Sequence, residues 1–188
     1  MIVVGHGGDV IDELTTDHRE VDDLFEKIQA TAPGNPERKR LMDQVTIELV
    51  RHSVAEEQYL YPTVRRRLTD GDAIADKEIA DHSQVERLLK TLEGLDADAA
   101  DFNDLVLKLK TEVTAHVHDE ETNLFPQLRR ACDEADLHKL GESVRRAKKI
   151  APTRPHPSAP DTPPGNKLLA PGAGLVDRAR DLVTGRGE

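Results

Sequence analysis

The chain has 188 residues, with 26 Lys+Arg against 36 Asp+Glu, a formal net charge of -10, 37% hydrophobic and 3% aromatic residues. That length accommodates one domain with a tail, the acidic balance argues against a protein held on nucleic-acid phosphates, and the single Cys132 rules out an internal disulfide and a cysteine-based zinc site. No apolar run approaches the roughly 18 residues of a membrane span, and residues 1–14 lack the basic stretch and apolar core of a secretory leader, so a cytoplasmic protein with no membrane contact is expected.

Few aromatics among many charges suit amphipathic helices around an aliphatic core. Ile11, Leu14, His18, Val21, Phe25 and Ile28 recur at helical spacing up to a breaker at Thr31–Pro36. A second helix starts near Pro36 and carries Leu41, Val45, Leu49, His52, Glu56, Tyr59 and Leu60 on one side. Pro62 removes one backbone bond and should kink it before it stops at Thr69–Gly71. A third spans about 73–93, with Ile79, His82, Val85, Leu89 and Leu92, and Gly94 as terminator. A fourth spans about 99–131, with Phe102, Leu105, Leu109, Val113, His116, Glu120 and Leu124. A short fifth helix fits 134–149. Long helices with short connections predict an all-α, antiparallel up-down four-helix bundle over residues 1–150.

Composition changes near Ala151. Seven of the eleven prolines fall between Ala151 and Pro171, which predicts an extended or disordered tail over 151–188. That tail holds five basic and four acidic residues, so the acidic character belongs to the domain. Within it Leu175, Val176, Ala179, Leu182 and Val183 are spaced for a short amphipathic helix at 172–184, docking on the bundle or a protein partner. An isolated helix that short is marginal, and disorder is the alternative.

The chain repeats itself at a shift of 64 residues. Asp17-His18 matches Asp81-His82, and Glu48, His52, Glu56 and Glu57 match Glu112, His116, Glu120 and Glu121. Leu60, Pro62, Arg65 and Arg66 match Leu124, Pro126, Arg129 and Arg130. The bundle is therefore two copies of one helix pair. A core needs the matched Leu and Val but not the matched His and Glu, because buried charge is costly unless it is paired or bound to metal.

Residues four apart share a helix face, so His52 pairs with Glu56 and His116 with Glu120. With His18 and His82 on apolar stripes, the four helices bring four His and two Glu to the bundle centre. That donor set suits two borderline metals, above all iron, with manganese or zinc as lesser candidates. One metal would take His18 and His52, the other His82 and His116, with Glu56 and Glu120 bridging. Open positions remain for an oxo or hydroxo bridge and a small ligand. A lone helical histidine is usually a satisfied core residue, but both patterns occur twice at one offset.

The series His18, His52-x-x-x-Glu56, His82, His116-x-x-x-Glu120 resembles the hemerythrin-like (HHE cation-binding) family. Residues 52–62 and 116–126 are similar to that family's second and fourth helices, and the resemblance covers roughly 9–131. It implies a four-helix bundle whose non-haem di-iron centre handles dioxygen, peroxide or nitric oxide. Oxygen carriers of the family have a second histidine one turn along the third helix. Here that position is Glu86, a weak ligand, an outer acceptor or a solvent-facing group. Their fourth-helix carboxylate lies five residues after its histidine. Here Glu120 and Glu121 both qualify, and the phase of Glu56 favours Glu120. Fewer histidines favour redox chemistry or sensing over reversible oxygen carriage. As an enzyme it would be a di-iron oxidoreductase, such as a peroxide-decomposing, catalase-like one. The alternatives are a metal-binding sensor or iron-homeostasis module without turnover, and a metal-free helical interaction module. Tyr59, seven residues after His52, either touches a metal-bound group or is an ordinary half-buried tyrosine.

Overall fold

The structure is a computed structural model that describes residues 6–186; residues 1–5 of the stretch read for a leader lie outside them, as do 187 and 188. Its helices are α1 (Val10–Ala30), α2 (Pro36–Ala55), α3 (Tyr61–Arg67), α4 (Gly71–Glu93), α5 (Phe102–Asp119), α6 (Phe125–Ala131), α7 (Glu134–Ile150) and α8 (Gly165–Thr184). Among the described residues there is no strand. Local chemistry marks the starts. Asp9 accepts the amides of Ile11 at 2.8 Å and Asp12 at 3.0 Å, while Asp12 accepts the Asp9 amide, a capping box for α1. Asn35 accepts the Glu37 amide at 2.9 Å, and Pro36 opens α2, where no amide donor is needed.

The kink expected at Pro62 is a π-helical turn. Glu56–Leu60 joins α2 to α3, and Glu120–Leu124 joins α5 to α6 before Pro126. The Tyr61 amide donates to the Glu56 carbonyl and the Phe125 amide to the Glu120 carbonyl, five residues back. Proline cannot donate and its ring crowds the carbonyl four residues back. The wider turn relieves that crowding in both copies of the repeat.

α1 packs on α2, α4 packs on α3 and α5, and α7, the fifth helix expected at 134–149, lies across α1 and α2. Two apolar clusters fill the bundle. Val21, Phe25, Met42, Leu89, Phe102 and Leu109 belong to one, and Val10, Leu14, Leu60, Val64, Phe125 and Val144 to the other. His18, His52, His82 and His116, all buried, fall between them along their helices, and the buried Glu56 and Glu120 open the two π turns. Gly141 allows the close approach of α7, because a Cβ there would lie 2.9 Å from the Asp9 carbonyl carbon and the Val10 nitrogen. Backbone cannot swing aside. Gly141→Ala is therefore expected to destabilise the fold by about 1–3 kcal/mol, although alanine is the better helix former; urea unfolding reads the difference.

The tail departs from its expected form. Residues 151–155 are buried, and α8 is longer than the 172–184 expected and contains Pro171. Its apolar side also faces outward. Leu175, Leu182 and Val183 are 68%, 80% and 87% exposed, whereas Asn166, Asp177 and Asp181 are buried. Asp177 accepts the Thr153 and Arg154 amides at 3.2 Å each and His156 Nε2 at 2.9 Å. Arg154 joins Glu93 at 2.8 Å to Asp181 at 2.7 Å. Paired carboxylates can stay inside, so polar contacts rather than leucines dock α8 on the bundle, and of the two surfaces expected to receive its apolar side the bundle is not the one it meets.

Candidate metal centre

His18, His52, His82 and His116 come from α1, α2, α4 and α5, and their Nε2 atoms converge. Glu56 Oε2 lies 3.2 Å from His52 Nε2 and 3.3 Å from His82 Nε2. Glu120 Oε2 lies 3.3 Å from His18 Nε2 and 3.6 Å from His116 Nε2. Each carboxylate thus stands between a histidine of one repeat and a histidine of the other. The Nε2 atoms of His82 and His116 are 3.2 Å apart, and the His18 and His52 rings are 5.0 Å apart. Two groups of buried donor atoms result, His18 with His52 and Glu120, and His82 with His116 and Glu56; their atoms lie within 4.8 Å of one another. Glu78 forms a third group with His116 and Glu120.

The other ring nitrogens face carboxylates. His52 Nδ1 donates to Asp17 at 3.1 Å, His18 Nδ1 to Glu121 at 2.8 Å, and His82 Nδ1 to Glu57 at 3.1 Å. His116 Nδ1 is 2.9 Å from Glu78 Oε2, though not aligned for a hydrogen bond, and 3.9 Å from Asp81. A carboxylate on Nδ1 keeps its proton there and turns the Nε2 lone pair inward, the orientation a metal ligand needs. Behind them stand cations: Lys148 of α7 on Asp17, Arg19 on Glu121 at 2.6 Å, and Lys77 on Glu78 at 3.2 Å.

Protonation follows from this crowding. Burial opposes a charged ring, but Glu56 and Asp17 outweigh it and raise His52 to about 10. Glu56 and Glu57 do the same for His82, also to about 10. Glu120, with Asp81 and Glu78, raises His116 to about 9 against its burial. Burial favours a protonated Glu56, yet His52 and His82 hold it well below the ordinary carboxylate range. Against partial burial, His18 and Arg19 lower Glu121 to about 2.

The six central residues of the repeat come together. Glu120 occupies the centre, and Glu121 is the acceptor for His18 instead. Glu86 accepts the His156 amide at 2.7 Å and joins none of the donor groups. Tyr59 points elsewhere, with the Lys167 ammonium 4.2 Å from its ring. Tyr61 takes its place: its hydroxyl is 3.3 Å from Glu56 Oε2, 3.3 Å from Glu120 Oε1 and 3.1 Å from His82 Nε2. The π turn is the reason. A wider turn consumes an extra residue, so the face holding His52 and Glu56 continues at Tyr61. Burial and then the nearby carboxylates push the Tyr61 hydroxyl well above its usual range, so it keeps its proton. Asp17, Glu57, Glu78 and Tyr61 were absent from the expected site. The repeat signalled two of them, since Asp17 matches Asp81 and Glu57 matches Glu121.

The donor set fits a metal pair. His18 Nε2, Glu56 Oε1 and Glu120 Oε2 are buried with no hydrogen-bond partner. Buried polar atoms are nearly always satisfied, and lone pairs converging from imidazole and carboxylate are what a borderline metal takes up. Asp17→Asn should weaken metal binding by about 10–100-fold through loss of the His52 orienting contact, as read by competition with a chromophoric chelator.

Comparison with known proteins gives a consistent set. The Hemerythrin HHE cation binding domain matches residues 9–128. An uncharacterized hemerythrin-like protein of Schizosaccharomyces pombe is 29% identical over 175 residues, covering 93% of this chain and 86% of that one. A DNA nickase of Nostoc is 33% identical over 120 residues, 63% of this chain; the chain spans 33% of the nickase's length. The crystal structure of a hemerythrin HHE cation-binding domain-containing protein from Mycobacterium kansasii superposes with a TM-score of 0.66 at 25% identity, covering 75% of this chain and 85% of that one.

Proposed function

We propose that this chain, which belongs to the hemerythrin HHE cation-binding family, holds two iron ions with an oxo or hydroxo bridge and uses them to bind, sense or reduce a small oxidant: dioxygen, a peroxide or nitric oxide. One ion would be held by His18, His52 and Glu120, the other by Glu56, His82 and His116. The observation that carries this reading is the set of buried atoms His18 Nε2, Glu56 Oε1 and Glu120 Oε2, none of them in a hydrogen bond, at the centre of carboxylate-oriented histidines. An iron pair supplies a ferrous–ferric redox change and open positions for a small ligand.

The chain's own residues do the rest. Asp17, Glu57 and Glu121 hold three rings in register. Tyr61 Oη holds a proton within reach of both central carboxylates. Leu49, Val85, Val113 and Val117 line a small cavity of ≈ 20 Å³ beside the histidines and keep bulk water away. A proton held at the site favours reduction, and peroxide decomposition is the enzymatic form of the proposal. Sensing without turnover is favoured by the outward apolar side of α8, which offers an output surface.

We place the protein in the cytoplasm, on its single cysteine and the absence, among the described residues, of any helix long and apolar enough to cross a membrane. Nicking is not carried over from the Nostoc protein, because the match covers a third of it and a net charge of -10 disfavours a phosphate backbone.

The test is elemental analysis with visible spectra of protein from iron-rich medium, before and after dithionite. About two irons per chain, as in di-iron bundles, with bands that bleach on reduction, is the expected result. No metal, or a single colourless zinc, overturns it. Peroxide turnover lost in Tyr61→Phe at unchanged iron content would select the enzyme over the sensor.

A further inference from the structure

The two halves of the bundle are not equivalent around the site. Glu121 on His18 is capped by Arg19, but its repeat counterpart Glu57 on His82 has no Lys or Arg partner among the described residues, because Ser83 stands where the repeat would place that arginine. The next asymmetry is Tyr61 beside His82, matched by Phe125 stacked 5.9 Å from His18. On this same side a cavity of ≈ 100 Å³ opens between α2 and α4. Its floor includes Ser53, Glu57, His82 and Ser83, and its roof is the C-terminal segment from Pro152 to Ala173. Leu49, Ser53, His82 and Val85 line both this cavity and the small one beside the histidines.

The roof is pinned at its edges. Arg154 is clamped between Glu93 and Asp181, the His156 amide donates to Glu86, and Gln58 Nε2 donates to the Asn166 carbonyl at 3.3 Å. Two groups in the wall are buried without partners: the side-chain oxygen of Asn166, which is 4% exposed, and Arg154 Nε. One can only accept and the other can only donate. The remaining lining is largely aliphatic, with the carboxylates Glu57, Glu86 and Asp161. A water needs at least about 10–15 Å³ of such space, so the cavity holds several water-sized molecules.

We propose that this cavity is a ligand chamber, closed by the C-terminal segment, that admits small uncharged molecules able both to donate and to accept hydrogen bonds, hydroperoxides among them, and delivers them to the His82 side of the metal centre. Delivery rests on the metal-centre reading above; binding in the chamber does not. The lining sets Glu57, Glu86 and Asp161 against Arg154 and His82, and Arg154 is already clamped by Glu93 and Asp181, so the wall offers no free cation to hold an anion. Dioxygen and nitric oxide are poor hydrogen-bond partners and leave Asn166 and Arg154 unsatisfied.

The test uses the full chain loaded with redox-inert zinc and followed by amide NMR. Hydrogen peroxide is expected to shift the amides of Ser53, Ser83, Asn166 and Ala170, and azide to leave them in place. Ala170→Phe, filling the chamber from the roof, and Ser53→Leu, filling it from the floor, should each abolish those shifts. In the iron form each should slow the reaction with peroxide by about tenfold at unchanged iron content. The second variant guards against a roof that fails to fold over the first. Peroxide shifts located elsewhere, or retained in both variants, overturn the chamber. An unchanged peroxide rate in both iron-loaded variants overturns delivery. An iron form inert to peroxide, with chamber shifts present in the zinc form and lost in the variants, would sink the oxidant function and leave the binding site standing.

Discussion

Glu56→Gln is expected to strip the protein of at least one of its metal ions and to lower the stability of the metal-free fold by about 3–5 kcal/mol. Glu56 is fully buried and within 3.3 Å of both His52 and His82. Glutamine keeps the shape but removes the charge, so two protonated rings lose their shared counter-ion in a low-dielectric layer. Metal content after purification from iron-rich medium and denaturant unfolding of chelated protein read the two effects separately. For a domain of this size each kcal/mol moves Tm by roughly 2–4 °C, so the change is large on a thermal scan. His52→Leu gives the converse contrast. It leaves the buried Asp17 and Glu56 carboxylates without their shared cation, which costs stability in a metal-free interaction module too, so loss of metal is the outcome that only a metal centre predicts. Retention of iron by Glu56→Gln and His52→Leu together would refute the assignment of the site.

Chelation is expected to lower Tm, and by more at pH 9 than at pH 6. A ligand at about a thousand times its dissociation constant stabilises by about 4 kcal/mol. The pH dependence comes from the histidines. In the metal-free protein His52 and His82 titrate at about 10 and His116 at about 9, all raised from 6.5. A raised histidine contributes stability that is complete below the unfolded value and disappears as pH climbs through the folded one. The metal-free fold should therefore weaken from about pH 6.5 towards 10. Glu56 and Glu121 are depressed, so their contribution is present above the ordinary carboxylate range and fades in acid. Metal binding displaces Nε2 protons, which makes affinity rise with pH and releases protons on loading. Thermal scans of loaded and chelated protein at the two pH values measure the difference. A chelation effect that shrinks at pH 9 would contradict these protonation states.

The site was legible in the sequence to an uneven depth. The six central residues stand out because periodicity, chemistry and a 64-residue repeat coincide on them. Periodicity assumes one residue every 100°, and that assumption fails at the two π turns. Tyr59 was therefore read onto the inner face that Tyr61 occupies. The ambiguity between Glu120 and Glu121 came instead from the resemblance, which puts the fourth-helix carboxylate five residues after its histidine, while the phase of Glu56 favoured Glu120. Only the structure assigns the first to the centre and the second to His18. Carboxylates that orient the rings come from neighbouring helices, as with Asp17 on His52 and Glu57 on His82, and no spacing within one helix encodes such contacts.

By itself the sequence determined an all-helical bundle, its duplication, the acidic domain and the six candidate ligands that converge, because each is a local or periodic property of the chain. It also marked the change of character at Ala151. Tertiary structure alone decided where the tail goes and which side of it faces in. The aliphatic stripe of α8 is the stronger sequence signal, yet Asp177 and Asp181 are the residues buried, because Arg154 and Arg186 pair with Asp181 while the Thr153 and Arg154 amides and the His156 ring hydrogen-bond Asp177. Hydrophobic burial is non-directional and can be read from a pattern. Burial of charge depends on a partner's position in space, and that position exists only once the chain is folded.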